Sequence, residues 1–283
     1  MEKVQPGISN VTEQPIPFNT IKDGPNDERL TAAEMGHLWE MYLYNSASKC
    51  QLQYYAAKAQ DPEIRGVLNF ALQIKNTRLN KLTQIFNTVG FPILQAFNDE
   101  DVEPNARRLY SDGFMLVYIQ GLINFELVES LMGLSKAVRA DIKEYYQACI
   151  DESQDLFNRA SETMLRKGLW FKPPNIPVPD RVEYVQQETI FAGLLGDKRP
   201  MNALEIFHVY TRLQSKMIER ALILGFSQVV QSKKVLAFLS KGKQLINKQV
   251  EGWSKILEDE DLPPLSPGNM RLLIVRNPRL VIS

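Results

Sequence analysis

The chain has 283 residues, 44% of them hydrophobic, which is enough to bury a core in one large domain or two smaller ones. Lys plus Arg and Asp plus Glu each total 33, so the net charge is zero and a nucleic-acid partner, which favours a basic excess, is not expected. No uninterrupted apolar run approaches the ~18 residues of a membrane span, and the opening MEKVQPGISN lacks the apolar core of a signal peptide.

Residues 1–29, with four prolines and two glycines, read as a flexible lead-in, and the sequon Asn10-Val11-Thr12 within it as chance. A first helix opens at Thr31-Ala32-Ala33-Glu34, which has the form of a capping box. Apolar residues then recur at helical spacing from Met35 to Ala57, with an end near Ala59. Asp61-Pro62-Glu63 starts a second helix: aspartate is a good N-cap, and proline at the first helical position forfeits no useful donor. Its stripe is Ile64, Val67, Leu68, Ala71, Ile74, Leu82, Ile85, Phe86 and Val89, with Gly90 as a left-handed stop.

Residues 91–110 form a long connection. A strongly apolar helix follows at about 112–136, and another at 138–167, stopped by Gly168. These four helices can close a bundle spanning residues 30–168. Residues 169–200 then read as a linker, because Pro173, Pro174, Pro177 and Pro179 forbid a helix. Two more helices are expected from Asn202 and after Ser232, giving a hairpin over 201–263. Beyond Pro263 the pattern breaks, and MRLLIVRNPRLVIS, with three arginines and no acid, matches nothing upstream. Residues 264–283 therefore read as an aberrant tail, such as a shifted reading frame would give.

The chain repeats itself. At an offset of 171, Glu34 meets Glu205, His37 meets His208, Leu38 meets Val209, Ile85 meets Ile256, and Phe91-Pro92 meets Leu262-Pro263, with no gap. A fainter copy at offset 78 pairs Ile64 with Ile142 and Gly90 with Gly168. Three helix–turn–helix units result and a fourth is missing, so the fold class is an all-α, ferritin-like up-down bundle, internally duplicated, with its second bundle truncated. The unpaired hairpin leaves apolar stripes to cover, which favours a homo-oligomer.

The one constellation with metal chemistry is the pair Glu34-x-x-His37 and Glu205-x-x-His208, which holds both histidines of the chain. Residues i and i+3 share a helix face, and this is the ligand spacing of di-iron bundles, so Glu34, His37, Glu205 and His208 are candidate ligands for iron, manganese or zinc. The preferred reading is capping, since each glutamate falls three residues after a capping residue and the other three bundle helices carry no histidine. Neither a catalytic site nor a cofactor site is read from the sequence: it has no phosphate loop, zinc spacing or nucleophile elbow. Glu126 and Glu129 interrupt an apolar helix, so one of them is expected to be buried against Arg or Lys. Cys50 and Cys149 read as small buried hydrophobes, and Tyr42, Tyr44, Tyr54, Tyr55, Tyr145 and Tyr146 as core or bundle seam.

LTAAEMGHLWEMY, the GFPI after the second helix, the run from Leu165 through KGLWFKPPNIPVP, and FAGLLGDKRPMNALEIFHVY resemble the DUF3231 family of spore-forming bacilli. The resemblance implies two ferritin-like bundles in a soluble protein of the cytoplasm or the spore coat, with no established activity. It supplies no catalytic residue to carry over. The expected function is a non-enzymatic structural or interaction protein connected with sporulation, meeting itself or other spore proteins. A metal-binding protein using the two E-x-x-H pairs is the alternative.

Overall fold

Six α-helices, and no β-strand, make up the described residues of the computed structural model, which are 29–103, 105–176, 178 and 200–263. They are α1 (Ala32–Lys58), α2 (Pro62–Thr88), α3 (Asp112–Lys136), α4 (Ala140–Arg166), α5 (Ala203–Phe226) and α6 (Lys233–Glu258). The expected lead-in, most of the linker and the tail lie outside the described residues. The fold is all-α, as the periodicity predicts.

Local chemistry sets the helix ends where the sequence placed them. Thr31 and Glu34 form the capping box of α1, and Asn202 and Glu205 form the same device on α5. Asp61 caps α2 through the amides of Glu63 and Ile64, with Pro62 in the first turn. Gly90 and Gly168 adopt φ of 69° and 65°, the left-handed conformation that closes α2 and α4. α4 begins at Ala140, two residues later than expected, and its N-cap Arg139 makes no capping bond through its own side chain.

Four helices form a bundle with one crossover. α1 and α2 pack together across their tight turn, as do α3 and α4, while α2 meets α4 and α1 meets α3. The amides of Gln60 and Asp61, before α2, donate to the Asp112 carboxylate that opens α3, so α2 and α3 start at the same end. Lys167, just past α4, pairs with Asp61 at 2.6 Å, so α4 runs antiparallel to α2. The order is up, down, down, up, and residues 89–111 cross the length of the bundle between α2 and α3. At ~1.5 Å per residue that distance is about 40 Å.

Two apolar clusters fill the bundle. Around the α2–α3 starting end lie Leu52, Tyr55, Leu68, Phe114, Ile119 and Leu156; around the other end lie Leu38, Met41, Leu82, Phe86, Tyr145 and Tyr146. A buried polar layer of Asn45, Lys75, Arg78, Glu126 and Ser153 separates them. Cys50 and Cys149 are buried free thiols, as expected.

α3 bears on the membrane expectation. Although no uninterrupted apolar run is long enough, α3 has the length and mean hydropathy to cross a membrane. It is the core helix of the bundle: 56% of its apolar stretch is buried, and it carries Glu126 in the polar layer.

The α5–α6 hairpin has a small core of its own, Val209, Tyr210, Leu213 and Leu257, with Trp253 packed against it. It rests on the bundle along a narrow seam. Tyr110 donates its hydroxyl to the Leu222 carbonyl at 3.1 Å, and Gln214 donates to Gln120 at 2.8 Å. Ile218, Ala221 and Leu222 pack on the first apolar cluster. α6 buries only Ile246 and Leu257 and leaves Val235, Leu236, Phe238, Leu245 and Ile256 exposed.

Candidate functional site

Two clusters in the bundle carry charge and hydrogen-bonding capacity beyond the needs of the helices themselves. The first is the polar layer at mid-bundle. Lys75 and Glu126 are fully buried and in direct contact through Nζ and Oε1. The other Glu126 oxygen accepts from Arg78 Nη1 at 2.8 Å. Arg78 spends its remaining donors on Glu152 at 2.8 Å, the Cys149 carbonyl at 2.7 Å and Ser153 Oγ at 2.9 Å. Lys75 also donates to Asn45 Oδ1 at 3.2 Å, and the Asn45 amide donates to the Met41 carbonyl at 2.7 Å. All four helices therefore contribute to one network.

Burial, with the Arg78 charge adding to it, pushes the Lys75 ammonium well below its ordinary pKa. The charge of Glu152 opposes that shift. Two cations and two carboxylates balance, and only Glu152 reaches the surface, beside a 300 Å³ cleft between α2 and α4. Inward positions at mid-bundle are where helical bundles place metal ligands. Here two of them are cations, which repel a metal ion, so the layer is ill suited to holding one.

The second cluster lies near the opposite end, at the start of α1. His37 Nε2 faces Glu129 Oε2 of α3 at 3.2 Å, and His37 Nδ1 faces the Tyr146 hydroxyl of α4 at 2.7 Å. Glu40, one turn on from His37, brings a third ligand-type atom, and the three lie within 4.8 Å of one another.

The sequence-predicted residues are distributed as follows. Glu34 is buried and its carboxylate is fully engaged. One oxygen accepts from the Thr31 amide at 2.9 Å and the Thr31 hydroxyl at 2.8 Å; the other accepts from the amides of Val138 at 2.8 Å and Arg139 at 3.1 Å. The same side chain thus caps its own helix and ties down the α3–α4 turn. Anchoring of this turn is done by Glu34. Glu205 closes the α5 capping box, and His208 is exposed on α5 with its ring against Phe207. The four candidates do not gather: the cluster of three ligand types among the described residues holds His37 with Glu40 and Glu129, and neither Glu205 nor His208.

Burial by itself would raise the Glu34 pKa, but the amides of Thr31, Val138 and Arg139 and the Thr31 hydroxyl outweigh it and hold the carboxyl below the ordinary glutamate value. Glu34→Ala is expected to lower stability by about 2–4 kcal/mol, the loss of a cap plus bonds to a charged acceptor. A depressed pKa stabilises the fold above the unfolded-state value and loses that contribution as pH falls through the folded one. Acid titration followed by circular dichroism should therefore show a shallower stability loss below pH ~4.5 in Glu34→Ala than in the parent.

Sequence reasoning missed Lys75, Arg78 and Glu40. The α2 stripe skips from Ile74 to Leu82, and both cations stand in that gap. Glu40 repeats the three-residue step from His37 in the direction opposite to Glu34.

Comparison with known proteins places the chain. No protein of curated function matches it. Among solved structures, a Bacillus halodurans protein described as a "putative spore coat protein" is 17% identical, covers 55% of this chain and 100% of its own, and superposes with a TM-score of 0.49. The model of a protein family of unknown function, DUF3231, matches residues 20–182 and 190–271. The second stretch runs past Pro263 into the segment expected to be aberrant. With most of its length matched, the chain belongs to the DUF3231 family.

Proposed function

We propose that the protein is a non-enzymatic interaction protein: a ferritin-like bundle whose α5–α6 hairpin is half of a second bundle, completed by the hairpin of a second copy. The carrying observation is the face that α6 leaves open. Its contact with α5 centres on Ile246 and Leu257, whereas Val235, Phe238, Leu245 and Ile256 form an exposed apolar stripe. At ~100° per residue Phe238, Leu245 and Ile256 lie about 90° around the helix from Ile246 and Leu257, where a second neighbour sits in a four-helix bundle. Each large side chain is worth ~1.5–3 kcal/mol when fully buried, so the stripe favours association. The zero net charge of the chain sets up no long-range self-repulsion. The closed polar layer supports a scaffold role for the first bundle.

Sedimentation velocity tests the reading. At about 50 µM the full chain should run as a dimer, and Phe238→Glu/Leu245→Glu as a monomer of unchanged helicity. A parent that stays monomeric at that concentration would contradict it. The link with sporulation rests on the family resemblance carried by FAGLLGDKRPMNALEIFHVY; it requires the protein to fractionate with the coat of purified spores.

A further inference from the structure

We propose that His37, Glu40 and Glu129 form a site for one divalent transition-metal ion of the zinc type, at the end of the first bundle and independent of its oligomeric state. Imidazole nitrogen with two carboxylates is a donor set that such ions take readily, with bonds of about 2.0–2.2 Å. In a tetrahedral site those bonds place neighbouring ligand atoms about 3.3–3.5 Å apart. His37 Nε2 and Glu129 Oε2 stand 3.2 Å apart, which is one edge of that tetrahedron before any ion is present. Glu40 supplies the third corner from an exposed position one helical turn from His37, and the ligand atoms of all three already lie within 4.8 Å. Its exposure lets it close over an ion without disturbing the core, and leaves a fourth position open to water.

The histidine is held for this task from behind. The Tyr146 hydroxyl, on a residue only 1% exposed, meets Nδ1 at 2.7 Å. When an ion takes the Nε2 lone pair, Nδ1–H can donate to that oxygen, the arrangement seen when a metal-bound histidine is oriented by a partner on its other nitrogen. Gly133 of α3 makes room for the pair. A Cβ there would sit 2.4 Å from Tyr146 Cζ and 2.9 Å from His37 Nδ1, so any larger residue would push the histidine and tyrosine out of place.

The test is a zinc titration of the full chain, stripped with chelator and dialysed, in competition with a chromophoric chelator. The parent should bind one zinc ion per chain. Glu40→Gln, an exposed substitution that leaves the fold intact, should weaken binding at least tenfold, and His37→Gln should abolish it. Glu205→Gln/His208→Ala should bind as the parent does, which separates this site from the two E-x-x-H pairs. Cobalt in place of zinc should give the visible absorption of a four-coordinate ion, lost in Glu40→Gln. If His37→Gln fails to fold, Glu40→Gln decides. No zinc bound by the parent, or binding undiminished in Glu40→Gln, overturns the proposal.

Discussion

Glu126→Leu should lower the unfolding free energy by about 3–5 kcal/mol, the cost of leaving a buried charge without its partner. Among the described residues, Glu126 is the carboxylate in contact with Lys75 and one of two on Arg78, and both cations are almost entirely buried. Removing it leaves Lys75 facing the neutral Asn45 amide oxygen with no counter-charge in contact, and leaves Arg78 Nη1 without its acceptor. The penalty is desolvation, not the net worth of the pair, and that distinction is testable. Lys75→Met/Arg78→Met/Glu126→Leu removes the buried charges and leaves the neutral Asn45 and Ser153 with Glu152, whose side chain is 28% exposed and can turn to water. The triple variant should recover most of the loss and come within about 1–2 kcal/mol of the parent. Urea denaturation at constant m-value measures both. A single variant costing less than ~1 kcal/mol, the scale of a surface pair, would contradict a buried network.

Gly225→Ala should release the hairpin from the bundle. A Cβ at this position would lie 2.0 Å from the Tyr110 hydroxyl oxygen and 2.3 Å from Cζ. Tyr110 cannot yield: it is 1% exposed, stacked on Phe114 with ring centroids 4.7 Å apart, and edge-on to Tyr55 at 5.7 Å. α5 must back away instead and lose the Tyr110–Leu222 hydrogen bond. The expected cost is about 1–3 kcal/mol, typical of overpacking, concentrated on the seam. Limited proteolysis should then cut α5 and α6 faster while α1–α4 remain resistant. Equal resistance of both parts would mean that the seam does not hold the hairpin.

The parts of this architecture that depend on neighbours in sequence could be read from the sequence. Thr31 with Glu34, Asp61 with Pro62, and Gly90 and Gly168 each specify a helix end within four residues. Glu126 announced itself as a charge in an apolar helix. Its partners did not, because a stripe counted only in apolar residues treats Lys75 and Arg78 as a gap, although their long aliphatic stems pack like core residues. Glu34 was recognised as a cap, yet its second oxygen serves Val138 and Arg139, more than 100 residues away, and no local signal encodes that bond. His37 drew attention through the repeat, which directed the pairing toward Glu34 and His208. The actual neighbours, Glu129 and Tyr146, come from α3 and α4 and follow from the antiparallel packing of α1 on α3. The fold was thus available from periodicity, while the site needed the register between helices.

Hydrogen–deuterium exchange of α6 at two protein concentrations tests the central claim most directly. If a second copy covers the stripe of Val235, Phe238, Leu245 and Ile256, the amides of α6 exchange more slowly at about 50 µM than at ~1 µM, while those of α1 and α2 are unaffected. Exchange of α6 that does not change with concentration, in a chain that remains monomeric throughout, would contradict the account.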